Sequence, residues 1–595
     1  MSSIKESWMS LIETRFNVEH LRGSSADFLG RHLPSLDDEL LYMSRGMAIA
    51  RRRRNMFTAA CRIPAEVLSS IFTFSAQSGW SPSRRPRGRF DYGWMYITHV
   101  CAYWREVAIG TASLWTNHPD CLDLPTEIVP HVVHRARNLR HGFEVNTYDV
   151  EVDLGKQLMS AWASSVPFGS HVQSLTLAGN EEGFEIVRQY VQQPMNGLEE
   201  LAVEMEDLEN VVEVFCLPDD LCPSAVRLAK LTLWGCLPRQ WNTDVHLLRS
   251  SLTHLTIYLD YGKCADEELY PDYEEFVQVL LSMINLRSLK LENFFPYLLP
   301  LSPGERPRNP VFLPYVDYIG IAAQQRYHDA LCLVPLLLHP PSTCVEVTVL
   351  VIGGDEREFH PERAVELMPL LDPAVTALYA GGETAPCELA VGLRDLHFHK
   401  TELPRSSWMD KELRRYWPKV ISRSHDTPPR DMKGSAFMSV SPVDRCEAEL
   451  SEPFRLCRRF LSLPLPNITA ISLTHDAVID LTHMKFLNRL VAAPSVRCLG
   501  IDIQSSDALL DILARHADGG GFEIFPLLEI IHFHTGGDKA LHEAAYVRQT
   551  RALSTLVATR KNGGTPLREL MIEQALVGWR VWAAIFLDVP VTVLD

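Results

Sequence analysis

The sequence predicts an α/β protein: a small helical domain near the N-terminus, followed by an irregular solenoid of short strands and helices. Three observations carry that expectation. Two apolar helical stripes and a Leu-Trp pair crowd into residues 61–118. Beyond Val166, six-residue units of the form φ-x-x-φ-x-φ, with φ aliphatic or Phe, recur 24 to 39 residues apart where they are adjacent. Amphipathic helical stripes alternate with several of these units.

The overall numbers bound the function. The 595 residues include 46% hydrophobic and 22% charged, enough to build more than one core. Lys plus Arg number 57 against 74 Asp plus Glu, a net charge of −17. That balance argues against nucleic acid or an anionic membrane surface as the main partner. The 13 cysteines are scattered and never spaced C-x-x-C, and residues 1–19 lack the apolar core of a signal peptide. Reduced, mostly buried thiols in the cytosol or nucleus are expected. Apolar runs such as Leu331–Leu338 are too short to span a bilayer.

Residues 1–60 read as a polar, then helical, segment. Leu36, Leu40, Met43, Met47 and Ala50 recur at three- and four-residue steps, one amphipathic stripe, and Arg51–Arg54 follow. The Arg block reads as a solvated helix face, with a nuclear localisation signal as the alternative.

In residues 61–118, Pro64 is placed at a first helical position, and Val67, Leu68, Ile71 and Phe72 share a face behind it. Residues 77–93, rich in Gly, Ser, Pro and Arg, read as a loop. Ile97, Val100, Cys101, Trp104, Val107 and Ala108 then form a second stripe, read as one helix, and Leu114-Trp115 closes the unit. Residues 119–165 read as a connection.

Residues 166–595 carry the strand units: Val172–Leu177, Leu198–Val203, Leu228–Leu233, Leu252–Ile257, Leu286–Leu291, Leu393–Phe398, Ile468–Leu473, Val496–Ile501, Leu528–Phe533 and Leu567–Ile572. The bare pattern arises often by chance in so aliphatic a chain. Its weight comes from the intervening helical stripes, such as Phe184/Val187/Val191 and Leu509/Leu510/Leu513. It also comes from Asn180 and Cys236, which extend two units to the leucine-rich-repeat form ending in Asn or Cys. A single mixed α/β domain is the competing reading.

The 61–118 segment resembles the F-box-like domain of large fungal families, especially those of mushroom-type fungi. The resemblance rests on Ile63-Pro64-Ala65-Glu66-Val67-Leu68-x-x-Ile71-Phe72, on Val100-Cys101-Ala102-Tyr103-Trp104-Arg105-Glu106-Val107-Ala108, and on Leu114-Trp115. It covers about a tenth of the chain, and the long basic insertion at 77–93 is its main departure. In that family the box docks onto the Skp-type adaptor of a cullin-RING (SCF) ubiquitin ligase, and a leucine-rich array presents a protein substrate. The resemblance implies that Ile63, Pro64, Val67, Leu68 and Ile71 contact the adaptor. It implies that Phe72, Val100, Cys101, Trp104, Leu114 and Trp115 hold the box together.

No catalytic constellation stands out. The phosphate-loop, H-E-x-x-H and G-x-S-x-G motifs are absent, and Gly353-Gly354-Asp355 and Gly519–Gly521 read as loops. Cys61, Cys101 and Cys121 read as structural thiols. His397-Phe398-His399 and His532-Phe533-His534 place two His on one strand face, a pattern open to a metal but read as exposed sheet-face residues. Trp234, Tyr258 and Tyr261 are candidate binding aromatics or core residues. The expectation is therefore a non-enzymatic substrate receptor without cofactor or metal, the rival being an interaction scaffold outside any ligase with a degenerate box.

Overall fold

The computed structural model describes the chain except for residues 1–3, 18, 20–25, 78–79, 85–89, 119–120, 149, 206–213, 243–246, 260–268, 299–307, 325, 352–360, 381–385, 393, 400–434, 443–454, 484–485, 518–519, 536–541 and 595. The chain divides into two units: Met1–Val145 with Leu154–Pro167, and Asn146–Asp153 with Phe168–Asp595. Most of the expected connection, residues 119–165, thus groups with the first unit. Among the described residues, no helix is long and apolar enough to cross a membrane.

The first unit is mainly helical. Helices span Ile4–Arg15 and Ala26–Asn55, and residues 61–118 include the helix Ala65–Gln77. Pro64 sits one residue before that helix, where its carbonyl accepts from the Leu68 amide at 3.0 Å. The expected second helix is in fact two elements, a 3-10 turn at Gly93–His99 and an α-helix at Ala102–Gly110. Cys101 separates them in an extended conformation, and its sulfur caps the α-helix by accepting from the Trp104 amide at 3.4 Å. Gly93 has φ +50, and a Cβ there would lie 2.4 Å from the Ser81 carbonyl carbon, so only glycine fits.

Leu114 and Trp115 close the unit as expected, 4% and 1% exposed. Trp94 packs edge-on against Trp115, Arg135 covers the Trp115 ring at 4.4 Å, and the Trp115 indole donates to the Ala108 carbonyl at 2.8 Å. Two short parallel strands, β1 (Asn117–His118) and β2 (His141–Asn146), follow. Their His118 and His141 meet at 2.9 Å beside Phe143 and Trp162. Burial, and then the neighbouring His141, holds His118 well below the usual histidine range, so His118 is a neutral part of the core.

The second unit is mixed α/β around one large, mostly parallel sheet. Its strands are β3 (Val172–Gly179), β4 (Glu200–Met205), β5 (Lys230–Trp234), β6 (His254–Tyr258), β7 (Ser288–Glu292), β8 (Tyr318–Ala323), β9 (Cys344–Val351), β10 (Glu388–Val391), β11 (Asp395–His399), β12 (Ser435–Pro442), β13 (Ala470–Leu473), β14 (Cys498–Asp502), β15 (Ile530–His534), β16 (Glu569–Glu573) and β17 (Val591–Leu594). From β3 to β9, each strand pairs parallel with the next. The same holds from β13 to β17. Between these runs the order is β9–β12–β11–β10–β13, with β11 alone antiparallel to its neighbours.

The register explains why the six-residue pattern worked. The position of its second φ aligns strand after strand, including strands without a full unit: Leu175, Leu201, Leu231, Leu255, Leu289, Ile319 and Val345, then Leu389, Ile471, Leu499, Ile531 and Leu570. None of these twelve is more than 4% exposed, so they stack as one buried aliphatic row. The first φ, as in Leu198, Leu228, Leu252 and Leu286, lies two residues before the strand and is also buried. A repeated backbone bond marks the entry to β4–β9 and again to β13–β16. The amides of Glu199, Ala229, Thr253, Arg287, Asp317 and Cys344 each donate to the equivalent carbonyl one strand back at 2.7–2.9 Å. The series resumes at Thr469, Arg497, Glu529 and Arg568.

One predicted strand departs from the pattern. Leu393–Phe398 is not a repeat: Asp395–His399 is the return arm of a hairpin, with the Gly392 amide donating to the Asp395 carbonyl at 2.8 Å. Helices Glu181–Val191 and Asp507–Leu513 lie where stripes were expected, and a 3-10 turn spans Leu487–Ala492. Asn180 caps the first of these by accepting from the Gly183 amide at 2.8 Å. Elsewhere, Asp480 is buried and accepts from Arg458 twice at 2.6 Å, from Arg455, and from the Cys457 thiol at 3.3 Å. Burial pushes its carboxyl up, but these bonds and the two guanidinium charges outweigh it and leave it below the usual range.

Candidate functional site

In the first unit the helix Ala65–Gln77 has two apolar faces. Leu68 and Phe72, one turn apart, are each 1% exposed, and Phe72 packs against Trp104 with ring centroids 5.3 Å apart. Val67, Ile71 and Phe74, at i, i+4 and i+7, are 50%, 44% and 72% exposed. The helix entry is pinned from the other side. The Tyr103 hydroxyl donates to the Ile63 carbonyl at 2.8 Å, and the Trp104 indole donates to the Ala60 carbonyl at 3.3 Å.

Of the expected adaptor contacts, Pro64, Val67 and Ile71 are exposed and Ile63 is half-buried. Leu68 is not on the surface: it points into the core beside Phe72 and has no free face to offer a partner. Of the expected core residues, Phe72, Leu114 and Trp115 are buried, and Cys101 and Trp104 are partly so. Val100 is 58% exposed, because the break at Cys101 turns it away from the helix that holds Trp104. Phe74, absent from the expected set, extends the outward stripe by a turn; its spacing from Val67 and Ile71 was the available signal.

In the second unit, the face of the sheet opposite the aliphatic rows carries polar and aromatic side chains. One row reads Glu204, Trp234, Tyr258 and Glu292 on consecutive strands, all partly exposed. Trp234 and Tyr258 pack with centroids 4.2 Å apart. Tyr261 lies outside the described residues. Further along this face the Tyr318 hydroxyl donates to the Glu346 carboxylate at 2.7 Å, with Lys290 over the Tyr318 ring. Burial pushes both groups up. In Glu346 the Tyr318 bond, Lys290 and His397 pull the other way without prevailing. Asn293, which the repeat pattern did not single out, links neighbours: its amide nitrogen donates to Leu259 O at 2.9 Å and its oxygen accepts from the Gln324 amide at 2.7 Å.

The two His-Phe-His segments lie on β11 and β15, which do not pair with each other. His532 and His534 are 3% and 2% exposed, not exposed sheet-face residues, because the face of the sheet is covered at that end. His397 is half-buried beside Phe437, and burial, with His397 nearby, takes His399 down to about 3. Among the described residues, no group of three or more His, Cys, Asp or Glu is arranged to hold a metal. Gly353-Gly354-Asp355 and Gly519 lie outside the described residues. Cys61 and Cys101 approach to 3.6 Å between sulfurs, and burial raises the Cys101 thiol, the opposite of an activated nucleophile. Cys121 is fully buried.

No protein-family model matches the chain, and no curated protein matches it.

Proposed function

We propose that the protein is a substrate-recognition subunit of a cullin-RING ubiquitin ligase, its box docking a Skp-type adaptor and its second unit capturing a protein substrate. The observation that carries this reading is the outward stripe Val67, Ile71 and Phe74 on a helix whose other apolar face is already buried. A helix needs one apolar face to fold against its neighbours; a second at i, i+4, i+7 is the geometry of a helix that lays into a partner's groove. Ile63, Pro64, Val67, Ile71 and Phe74 form the revised contact set, without Leu68. The repeated parallel strands support the second half of the reading, since their polar and aromatic face offers Trp234 and Tyr258 as anchors. The chain itself contributes proximity, and the chemistry is supplied by the ligase.

The test is co-expression with a Skp-type adaptor and pull-down, comparing wild type with Val67→Asp, Ile71→Asp. Both positions are exposed, so the variant keeps its helical circular dichroism while losing the adaptor. A wild type that binds no adaptor removes the ligase reading and leaves an interaction scaffold.

A further inference from the structure

The helix Ala26–Asn55 carries a second uncovered seam, unrelated to the box stripe. Leu33, Leu36, Leu40, Met43, Met47 and Ala50 alternate three- and four-residue steps, the spacing that keeps one line of side chains facing a partner helix. In heptad terms Leu33, Leu40 and Met47 are a positions, and Leu36, Met43 and Ala50 are d positions. Leu33, Leu40 and Met47 are 54%, 51% and 49% exposed, Ala50 is exposed, and Leu36 and Met43 are half-exposed. The residues flanking the seam are charged in two blocks, Asp37 to Glu39 near one end and Arg51 to Arg54 at the other.

We propose that this helix pairs antiparallel with the same helix of a second copy of the chain. An antiparallel pair sets a against d, and flanking e against e and g against g. Aligning Leu40 with Ala50 of the second copy also aligns Met43 with Met47. The same register places Asp37 (e) beside Arg51 (e) and Glu39 (g) beside Arg53 (g), and the two-fold axis repeats both ion pairs. Ser44 and Gly46, the flanking residues nearest the axis, are uncharged and small. Arg52 falls at f, away from the seam, where it bonds Glu106 of its own chain at 2.7 Å. Among the described residues, the ion pair Glu39 would give up is an exposed one with Arg15 at 3.6 Å. A parallel pair lacks this logic. It would stack Arg54 on Arg54 at an a position and set Glu39 against Ser44 and Gly46 against Arg51. Charge complementarity thus selects both the occupant, a second copy, and its direction.

Sedimentation equilibrium of the full chain across a concentration series tests this. The wild type is expected to dimerise reversibly. Leu40→Glu with Met47→Glu should weaken the dimer by about tenfold or more, since it buries charge in the seam. These positions are exposed in the single chain, so the circular dichroism stays unchanged. Asp37→Arg with Glu39→Arg should weaken it too, and adding Arg51→Glu with Arg53→Glu should restore it. A wild type that stays monomeric throughout, or a dimer indifferent to the seam variant, overturns the proposal. A dimer lost on the first charge reversal and not rescued by the second overturns the antiparallel direction. Adaptor binding is read separately, so neither result depends on the other.

Discussion

Replacing Asp480 by Asn tests the least expected contact in the second unit. The change keeps the side-chain shape and removes the charge. Arg458 loses a bidentate partner, because an amide offers one acceptor and turns its NH2 toward a guanidinium that also only donates. Arg455 loses the same counter-charge. Removing one partner of a buried ion pair costs about 3–5 kcal/mol. If that cost falls on local opening, amide exchange in Leu456–Ser462 and His475–His483 should accelerate by about two to nearly four powers of ten. Hydrogen-exchange mass spectrometry reads this directly, with peptides from β3 and β4 as an internal control. An acceleration below about fivefold in both segments would show that the carboxylate is not holding them together. The wild type should carry a matching acid signature. A carboxyl held below its ordinary value of 3.8 contributes stability above that value and loses it as pH falls through its lower folded pKa. Protection in these segments should drop in that window for wild type, and Asp480→Asn should remove the dependence.

Other perturbations follow from the packing. Leu255→Ala opens a hole in the middle of the buried aliphatic row and should cost about 2–5 kcal/mol, seen as a lower urea midpoint. Gly93→Ala forces a Cβ onto the Ser81 carbonyl at positive φ, and should cost the first unit more than about 1 kcal/mol in thermal unfolding. Tyr318→Phe removes a bond that favours the charged form of Glu346, so its raised carboxyl rises further. A raised carboxyl in the folded state makes stability fall as pH climbs from 4.5 to the folded value, so the variant's urea midpoint should fall over a wider pH range than that of wild type.

The repeat was legible where one physical signal decides it. Leu201, Leu231 and Leu255 are spaced by their strands, and the same spacing buries them in register. Val316, Ile319 and Ile321 show the same six-residue spacing ahead of and within β8, a further unit beyond the ten expected. Val345, Val347 and Val349 of β9 alternate into the core but lack the leading apolar residue. Leu393–Phe398 matched by composition, while the tight turn at Gly392 decided the strand's direction. In the helix Ala65–Gln77, Val67, Leu68, Ile71 and Phe72 span one broad wedge, and periodicity gives no phase within it. Only the position of Trp104 determines that Leu68 and Phe72 turn inward. Val100 was misplaced for a related reason: a stripe continues across the Cys101 break even though the helix does not.

The reversed strand β11 has a consequence for how force passes through the second unit. From β4 to β9 and from β13 to β16, each strand's entry amide is tied to the strand before, so tension along the sheet is shared by a uniform series of bonds. That series stops at Cys344 and restarts at Thr469 on Cys387, and the gap is bridged by the inserted strands β10, β11 and β12. Across the gap, tension passes instead through the ladders β9–β12, β12–β11, β11–β10 and β10–β13, the first of them seven residue pairs long.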